Sequence, residues 1–286
     1  MKIPPGLQPL VEEGVVDAVV RPLKSGKEAS VYLVQSGGVL CCAKVYKEAN
    51  QRGFHKLAQY QEGRKSRGTR EARAMVKGSR HGRREQESAW KNAEVDALYR
   101  LAEAGVRVPQ PRGYFSGVLL MEMIADEDGK AAPRLDDVTL TPEQARDYHS
   151  KVIADVVRML SAGLIHGDLS EFNVLVDATG PVIIDLPQAV NASGNNSAER
   201  MLERDVDNMR RYFGRFAPEL LNTDYGKEIW ALYESGDLHP DSRLTGCFEH
   251  DTESADVDEL MAVIDAAKEE ERERLERLRD AEAGDD

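Results

Sequence analysis

The chain has 286 residues, of which 41% are hydrophobic and 31% charged, and its formal net charge is −13. This length and composition indicate a soluble globular protein with one large or two modest cores. No run approaches the roughly 18 apolar residues of a membrane span, and the start of the chain lacks the apolar core of a signal peptide, so we expect a cytoplasmic protein without membrane contact. The spacing of Cys41, Cys42 and Cys247 excludes a disulfide framework or zinc site and predicts reduced thiols in or near the core.

Charge is unevenly distributed along the chain. The segment 51–90 has eleven Lys and Arg against four Asp and Glu, whereas 251–286 has fifteen acidic against five basic residues. A basic segment can bind RNA or a ribosomal precursor through phosphates, although a solvated, mobile segment has the same composition. The acidic end is helical by composition from Asp256 to Arg279 and predicts an exposed extension.

The first elements predict an antiparallel sheet. Val31–Val34 and Val39–Tyr46 are rich in β-branched residues and are joined by Ser36–Gly38, which is typical of a hairpin. Lys44 lies in the second strand, where it either protects a sheet edge or holds nucleotide phosphates. The latter interpretation needs a carboxylate partner, and Glu94 in a helix predicted over 85–103 is the candidate.

The middle of the chain predicts a second hairpin followed by helices. Residues 106–112 are interrupted by prolines and predict a loop, and strands are expected on both sides of Gly117. The run from Glu122 to Ile124 has the character of a connector between two lobes, with backbone groups that could bind an adenine edge. Thr141, Pro142 and Gln144 predict a capped helix to about Ser161; further helices are expected over 198–216 and around 229–233.

The strongest chemical signal follows that capped helix. His166, Asp168 and Asn173 lie on a short polar loop between two apolar runs, and a third apolar run ends in Asp185. Phosphoryl transfer needs one carboxylate to orient the attacking hydroxyl, with an Asn and a second carboxylate holding Mg²⁺ against the phosphates. An ordinary loop with turn-capping Asp and Asn is the structural alternative.

Taken together, these motifs resemble the RIO family of atypical serine/threonine protein kinases from about Val19 to Phe216. The matching segments are 25–32 for the phosphate-binding loop, 43–46 for the strand lysine, 90–101 for the glutamate helix, 166–173 for the catalytic loop and 183–190 for the metal-binding loop. The resemblance implies ATP and Mg²⁺ as cofactors, and it assigns roles to individual residues. The implied nucleotide-binding residues are Gly26, Lys27, Ser30, Lys44, Glu94, Glu122 and Ile124, the catalytic residues are Asp168 and Asp185, and the metal ligands are Asn173 and Asp185.

Several positions depart from ordinary protein kinases. Gly167 stands where these have Arg, Asp185 is followed by Leu186 and Pro187 rather than Phe-Gly, and no Ala-Pro-Glu motif follows. Pro187 also differs from the small or polar residue usual in the RIO family. The resemblance implies the absence of an activation loop and a peptide-binding lobe, which argues against a conventional protein substrate. It also implies that the aspartate matching Asp185 can itself accept phosphate, and that some members act as ATPase switches on ribosomal precursors.

We therefore predict an α+β, two-lobed protein-kinase-like fold, with a sheet and one main helix in the N-lobe and a mostly helical C-lobe. The predicted boundaries are 1–124, 125–245 and an acidic tail over 246–286. The predicted function is a Mg-ATP-dependent serine/threonine kinase of unidentified protein substrate. A small-molecule phosphotransferase of the aminoglycoside or choline kinase type shares the His-Gly-Asp-Leu signature, and a nucleotide-sensing module without activity is the non-enzyme alternative.

Overall fold

The computed structural model describes residues 3–26, 29–47 and 93–248. The chain divides into two units, Met1–Cys247 and Phe248–Asp286. The basic segment, Lys27 and nearly all of the acidic tail lie outside the described residues, so the expectations for them stay predictions, as do the domain boundaries. None of the helices in the described part of the chain has the length and apolar content needed to span a bilayer.

A five-stranded antiparallel sheet forms the N-terminal lobe, in the order β1-β2-β3-β5-β4. Its strands are β1 Ala18–Ser25, β2 Ala29–Ser36, β3 Val39–Tyr46, β4 Pro111–Phe115 and β5 Val118–Glu122. Gly37 and Gly38 both have positive φ, 58° and 77°, which makes the tight β2–β3 turn accessible at no steric cost. Both predicted hairpins are thus present. The predicted loop 106–112 is wrong at its end, since Pro111 opens β4, a strand position that proline tolerates.

Two helices accompany the sheet. The short α1, Gln8–Glu12, buries Leu10 against sheet residues that include Val34. Helix α2 is described over 93–103, within the predicted range, and its apolar face packs into the main core. Arg100 on its outer face donates to the carbonyl of Ala162 at 2.6 Å and to Oδ1 of Asn191 at 3.1 Å. These contacts attach α2 to the C-terminal lobe.

The C-terminal lobe is built on three helices, α3 Pro142–Ser161, α4 Ala198–Gly214 and α5 Tyr225–Ser235. The predicted capping box at the start of α3 is confirmed: the Gln144 N–H donates to Oγ1 of Thr141, and the Thr141 N–H donates to the Gln144 side chain. Helix α4 ends two residues before the predicted limit, and α5 extends beyond 229–233 at both ends.

Two small antiparallel sheets complete this lobe and place its polar loops. Strand β6 Leu164–Ile165 pairs with β9 Val190–Asn191, and β7 Val174–Asp177 pairs with β8 Gly180–Ile183. The loop 166–173 therefore lies between β6 and β7, and the loop 184–189 lies between β8 and β9. The predicted α+β, kinase-like fold is confirmed. Cys41 is buried and Cys42 partly buried, but Cys247 is exposed, so the expectation of a core position was wrong for Cys247.

Candidate active site

A cavity of about 600 Å³ lies between the sheet and the C-terminal lobe. Its walls are mostly apolar and come from both lobes. Among the lining residues are Val31, Leu98, Leu119, Met121, Ile124 and Leu175. A mostly apolar cleft with a few convergent polar groups is typical of a cofactor site. Gly26, Lys44, Glu94, Glu122, Ile124 and Asp185 of the predicted site also line it, whereas Ser30, Asp168 and Asn173 are not among its lining residues.

Lys44 is the centre of charge in this cavity. On β3 it is the cross-strand partner of Val31 of β2 and of Leu119 of β5, so it lies in the middle of the sheet. The alternative that Lys44 protects a sheet edge is therefore wrong. Its Nζ forms an ion pair with Glu94 of α2 and lies 3.2 Å from Oδ1 of Asp185. The Lys44 and Glu94 side chains are only 13% and 5% exposed. Burial alone would lower the pKa of Lys44, but the two carboxylates outweigh it and raise that pKa, which keeps the amine charged.

Tyr46 is a cavity residue that sequence reasoning missed. The Lys44 Nζ lies 5.7 Å from the centre of its ring, and burial together with the neighbouring Glu94 raises the pKa of its hydroxyl. Tyr46 follows Lys44 by two residues on β3, so both side chains are on the same face of the sheet. That spacing was the available signal.

The catalytic-loop candidate 166–173 is held by its own polar groups. The buried His166 directs Nε2 to the carbonyl of Ile184 at 3.1 Å, and its Nδ1 accepts the Asp168 N–H at 3.3 Å. Burial lowers the pKa of His166, so the ring is neutral, with the proton on Nε2. Asn173 donates Nδ2 to the carbonyl of Asp168 at 2.8 Å. Asp168 itself is exposed.

Side chains of helix α4 hold this loop through hydrogen bonds to its backbone. Asp205, which is 1% exposed, accepts the Gly167 N–H at 2.7 Å and the Leu169 N–H at 3.1 Å. Arg204 donates to the carbonyl of Gly167, and Asn208 donates to that of Leu169 at 2.9 Å. Burial raises the pKa of Asp205 to about 7, against the lowering effect of the two N–H donors. In the sequence, Arg204 and Asp205 form a charged pair within an apolar helix face. Their contacts with the loop could not be predicted without the fold.

The metal-binding-loop candidate begins at Asp185, which has a left-handed backbone with φ 68°. A non-glycine residue in this region is strained, and such strain is common at active sites. The next residue, Leu186, is 3% exposed and packs in the main core. The Ile184 N–H donates to the carbonyl of Asn173 at 2.9 Å, which joins this loop to the catalytic-loop candidate.

The phosphate-loop candidate is only partly described. Ser30 is buried, and its hydroxyl is 3.1 Å from that of Ser25 rather than in the cavity. Lys47 donates to Oγ of Ser25 at 3.0 Å and to the carbonyl of Gly26 at 2.6 Å. Sequence reasoning missed Lys47, which braces the turn between β1 and β2.

The connector after β5 has two backbone groups already occupied. The Glu122 N–H donates to the carbonyl of Gln110 at 2.8 Å, and the carbonyl of Ile124 accepts the Ala132 N–H at 3.0 Å. No hydrogen bond of the Ile124 N–H is found within the described ranges.

The sequence model of the family described as "RIO domain" matches residues 30–226. The chain belongs to the RIO family of serine/threonine protein kinases. It is 35% identical over 209 residues to the RIO-type serine/threonine-protein kinase Rio1 of Haloferax volcanii, covering 72% of this chain and 67% of that protein. It is 32% identical to the RIO-type kinase Rio2 of Methanocaldococcus jannaschii, covering 72% and 71%. It is 30% identical to the kinase rio1 of Schizosaccharomyces pombe, of which the match spans only 40%.

The residues of this RIO domain fit a magnesium ion bound with a nucleotide. No group of three or more His, Cys, Asp or Glu side chains that could hold a metal by itself occurs in the described part of the chain. Mg²⁺ in phosphotransferases usually takes one or two protein ligands and completes its shell with phosphates and water. Asp185 offers a carboxylate that is 49% exposed, and Asn173, whose Nδ2 is engaged, offers its amide oxygen.

Proposed function

We propose that this chain is a Mg-ATP-dependent RIO-type serine/threonine protein kinase that binds ATP in the cavity between its lobes. The observation that carries the proposal is the convergence of Lys44, Glu94 and Asp185 on one cavity wall. A buried lysine held by two carboxylates supplies a fixed positive charge, and its alignment costs little reorganisation when phosphates arrive. Family membership favours this function over a small-molecule phosphotransferase or a module without activity.

The proposed roles follow from position. Lys44, held by Glu94, orients the α and β phosphates, with Gly26, Lys27 and Ser30 near them; the Glu122 carbonyl and Ile124 N–H bind the adenine edge. Asn173 and Asp185 hold Mg²⁺, which neutralises developing negative charge on the phosphates. Asp168 accepts the proton of the substrate hydroxyl. At the same time the hydroxyl oxygen bonds to the γ-phosphorus, and the bond between that phosphorus and the leaving ADP oxygen breaks. The neutral His166 holds the Asp168 backbone and takes no part in proton transfer.

A second acceptor is favoured by the exposure of Asp185. Its carboxylate is half exposed and lies at the cavity wall, so it is accessible to the γ-phosphate. Transfer to a carboxylate oxygen would release ADP, and water would then cleave the aspartyl-phosphate to free phosphate. The protein would then act as an ATPase switch. Binding of RNA or a ribosomal precursor through 51–90 and a cytoplasmic location are proposed from the sequence.

Incubation with Mg²⁺ and γ-labelled ATP tests the proposal, with Asp168→Asn and Asp185→Asn as paired variants. We expect wild type to hydrolyse ATP or transfer label, and both variants to lose this activity. Acid-stable label on Ser or Thr identifies the kinase reaction, whereas hydroxylamine-labile label that disappears in Asp185→Asn identifies the switch. Absence of both activities in wild type contradicts the proposal, and label found only on an aminoglycoside or choline supports the small-molecule alternative.

A further inference from the structure

Arg107 lies in the connection between α2 and β4 and joins three parts of the molecule. Its guanidinium donates to both carboxylate oxygens of Glu122, at 3.0 and 3.3 Å, and to Oδ2 of Asp177 at 2.6 Å. Glu122 is the last residue of β5, and Asp177 is the last residue of β7. One side chain therefore links the sheet lobe to the C-terminal lobe.

The backbone of Arg107 is fixed as well. Its N–H donates to Oδ1 of the buried Asp155 on α3 at 3.3 Å, and its carbonyl accepts the Ile183 N–H of β8 at 2.9 Å. Both backbone partners belong to the C-terminal lobe. Arg107 comes between two elements of the N-terminal lobe in sequence, but its backbone is hydrogen-bonded to the C-terminal lobe.

Arg107 acts on the connector without touching the cavity. Within the described ranges it is not among the lining residues, whereas Glu122 is. The Glu122 carboxylate also accepts the Gln110 N–H at 3.0 Å, so its side chain is held from two directions. These contacts restrain Glu122 at the end of β5, next to the connector 122–124 where the adenine edge is proposed to bind.

We propose that Arg107 is a positioning residue for adenine recognition, setting the connector backbone relative to the C-terminal lobe through Glu122 and Asp177. The inference rests on the proposed ATP site. A planar guanidinium suits this role because it can pair with two carboxylates at once, which a lysine amine cannot match in geometry. The exposed fractions, 32% for Arg107, 29% for Glu122 and 10% for Asp177, place the network in a partly dry environment.

The charge state of the network is consistent with this role. Burial works to raise the pKa of Asp177, but hydrogen bonds from Thr179 and Arg107 outweigh it, and the pKa is lowered. Asp177 therefore stays ionised over the physiological range and keeps Arg107 in place.

Binding measurements that separate the adenine end of ATP from its phosphate end test the role of Arg107. Titration calorimetry with adenosine, with Mg-tripolyphosphate and with Mg-ATP is carried out on wild type and Arg107→Met. We expect the variant to bind adenosine and ATP about tenfold more weakly, the ratio that corresponds to about 1.4 kcal/mol, and to bind tripolyphosphate as wild type does. In steady-state assays KM for ATP should rise while kcat changes less.

Four further variants separate positioning from a loss of folding. Glu122→Gln should weaken adenosine binding by a similar factor, and combining it with Arg107→Met should add little, because the two residues act as one unit. Arg107→Lys should give an intermediate loss. Arg146→Met is the matched control, since Arg146 is an exposed arginine on α3 that pairs with Glu219, and it should leave all three affinities unchanged.

The outcomes distinguish this inference from the proposed function. Unchanged adenosine affinity in Arg107→Met, or an equal loss for adenosine and tripolyphosphate, overturns the role of Arg107 while leaving the ATP site intact. If Arg107→Met does not fold, Glu122→Gln alone must show the selective loss. A wild-type protein that binds none of the three ligands overturns the proposed function and this inference with it.

Discussion

The two faces of the loop 166–173 differ in what they contribute. Asp168 is exposed, whereas the backbone N–H groups of its neighbours Gly167 and Leu169 donate to the buried Asp205. One face therefore carries the proposed catalytic base, and the other carries the contacts that hold the loop in position. Asp168 and Asp205 are both acidic, but their substitution should affect phosphoryl transfer and stability differently.

The largest expected effect is chemical and belongs to the exposed face. Asp168→Asn should lower phosphoryl transfer by about 10³-fold, since a positioned general base contributes roughly 10²–10⁴. Its melting temperature should stay within about 2 °C of wild type, because substitutions of exposed groups rarely change stability. Label-transfer kinetics and thermal unfolding measure the two quantities on the same preparation. Transfer within tenfold of wild type would show that Asp168 is not the base.

Substitution of the anchor should have a smaller effect on phosphoryl transfer and a larger effect on stability. Asp205→Asn replaces one acceptor oxygen with an amide NH2 group, which cannot accept a hydrogen bond, so either the Gly167 or the Leu169 N–H loses its acceptor. This should cost about 2 kcal/mol of unfolding free energy. Activity should fall as well, because the loop loses its fixed position. Urea unfolding measures the loss. Asp207→Asn is the control, since Asp207 is partly exposed and pairs with Arg210 and Arg211 on the same helix, and it should cost less than about 1 kcal/mol.

His149 is a buried titratable residue that, unlike Asp205, does not anchor the loop 166–173, so its substitution should affect stability alone. His149 on α3 packs 5.6 Å from the ring centres of Phe213 and Tyr225, and its Nε2 has no hydrogen-bond partner in the described part of the chain. Burial lowers its pKa from 6.5 to about 4. The unfolded chain thus binds more protons between these values, so stability is full above pH 6.5 and falls as pH decreases toward 4.

The expected size of this pH effect is about 1 kcal/mol between pH 7 and pH 5.5. Unfolding free energies of wild type and His149→Phe at both pH values measure it, and the variant should lack this part of the pH dependence. Activity at pH 7 should be unchanged in the variant. An identical pH dependence in both proteins would show that His149 is not the responsible group.

Local patterns in the sequence were sufficient for the fold and for the charged centre of the site. The capping box at Thr141 involves residues three apart, and the hairpin at Gly37 depends on a short turn, so the necessary information is local. The pairing of Lys44 with Glu94 was predicted because strand lysine, helix glutamate and loop aspartates occur in a characteristic order. Their proposed roles in binding nucleotide and metal stay predictions.

The supporting contacts could not be predicted because they join residues that are distant in sequence. Arg107 pairs with Asp177 and Asp205 holds Gly167, and no periodicity relates these positions. Only the packing of α4 and the small sheets brings them together. The contact of the buried Ser30 hydroxyl with that of Ser25 was likewise not predicted, and the phosphate contact expected from its place in a motif stays a prediction.

The attachment of α2 has a consequence for nucleotide binding. Arg100 joins this helix to Ala162 and Asn191 of the C-terminal lobe, so the helix that bears Glu94 is held by both lobes, while Lys44 lies on the sheet itself. A rotation of the sheet away from the helices would pull the two charges apart. The distance between Lys44 Nζ and the Glu94 carboxylate is therefore expected to increase if the sheet rotates away from the helices.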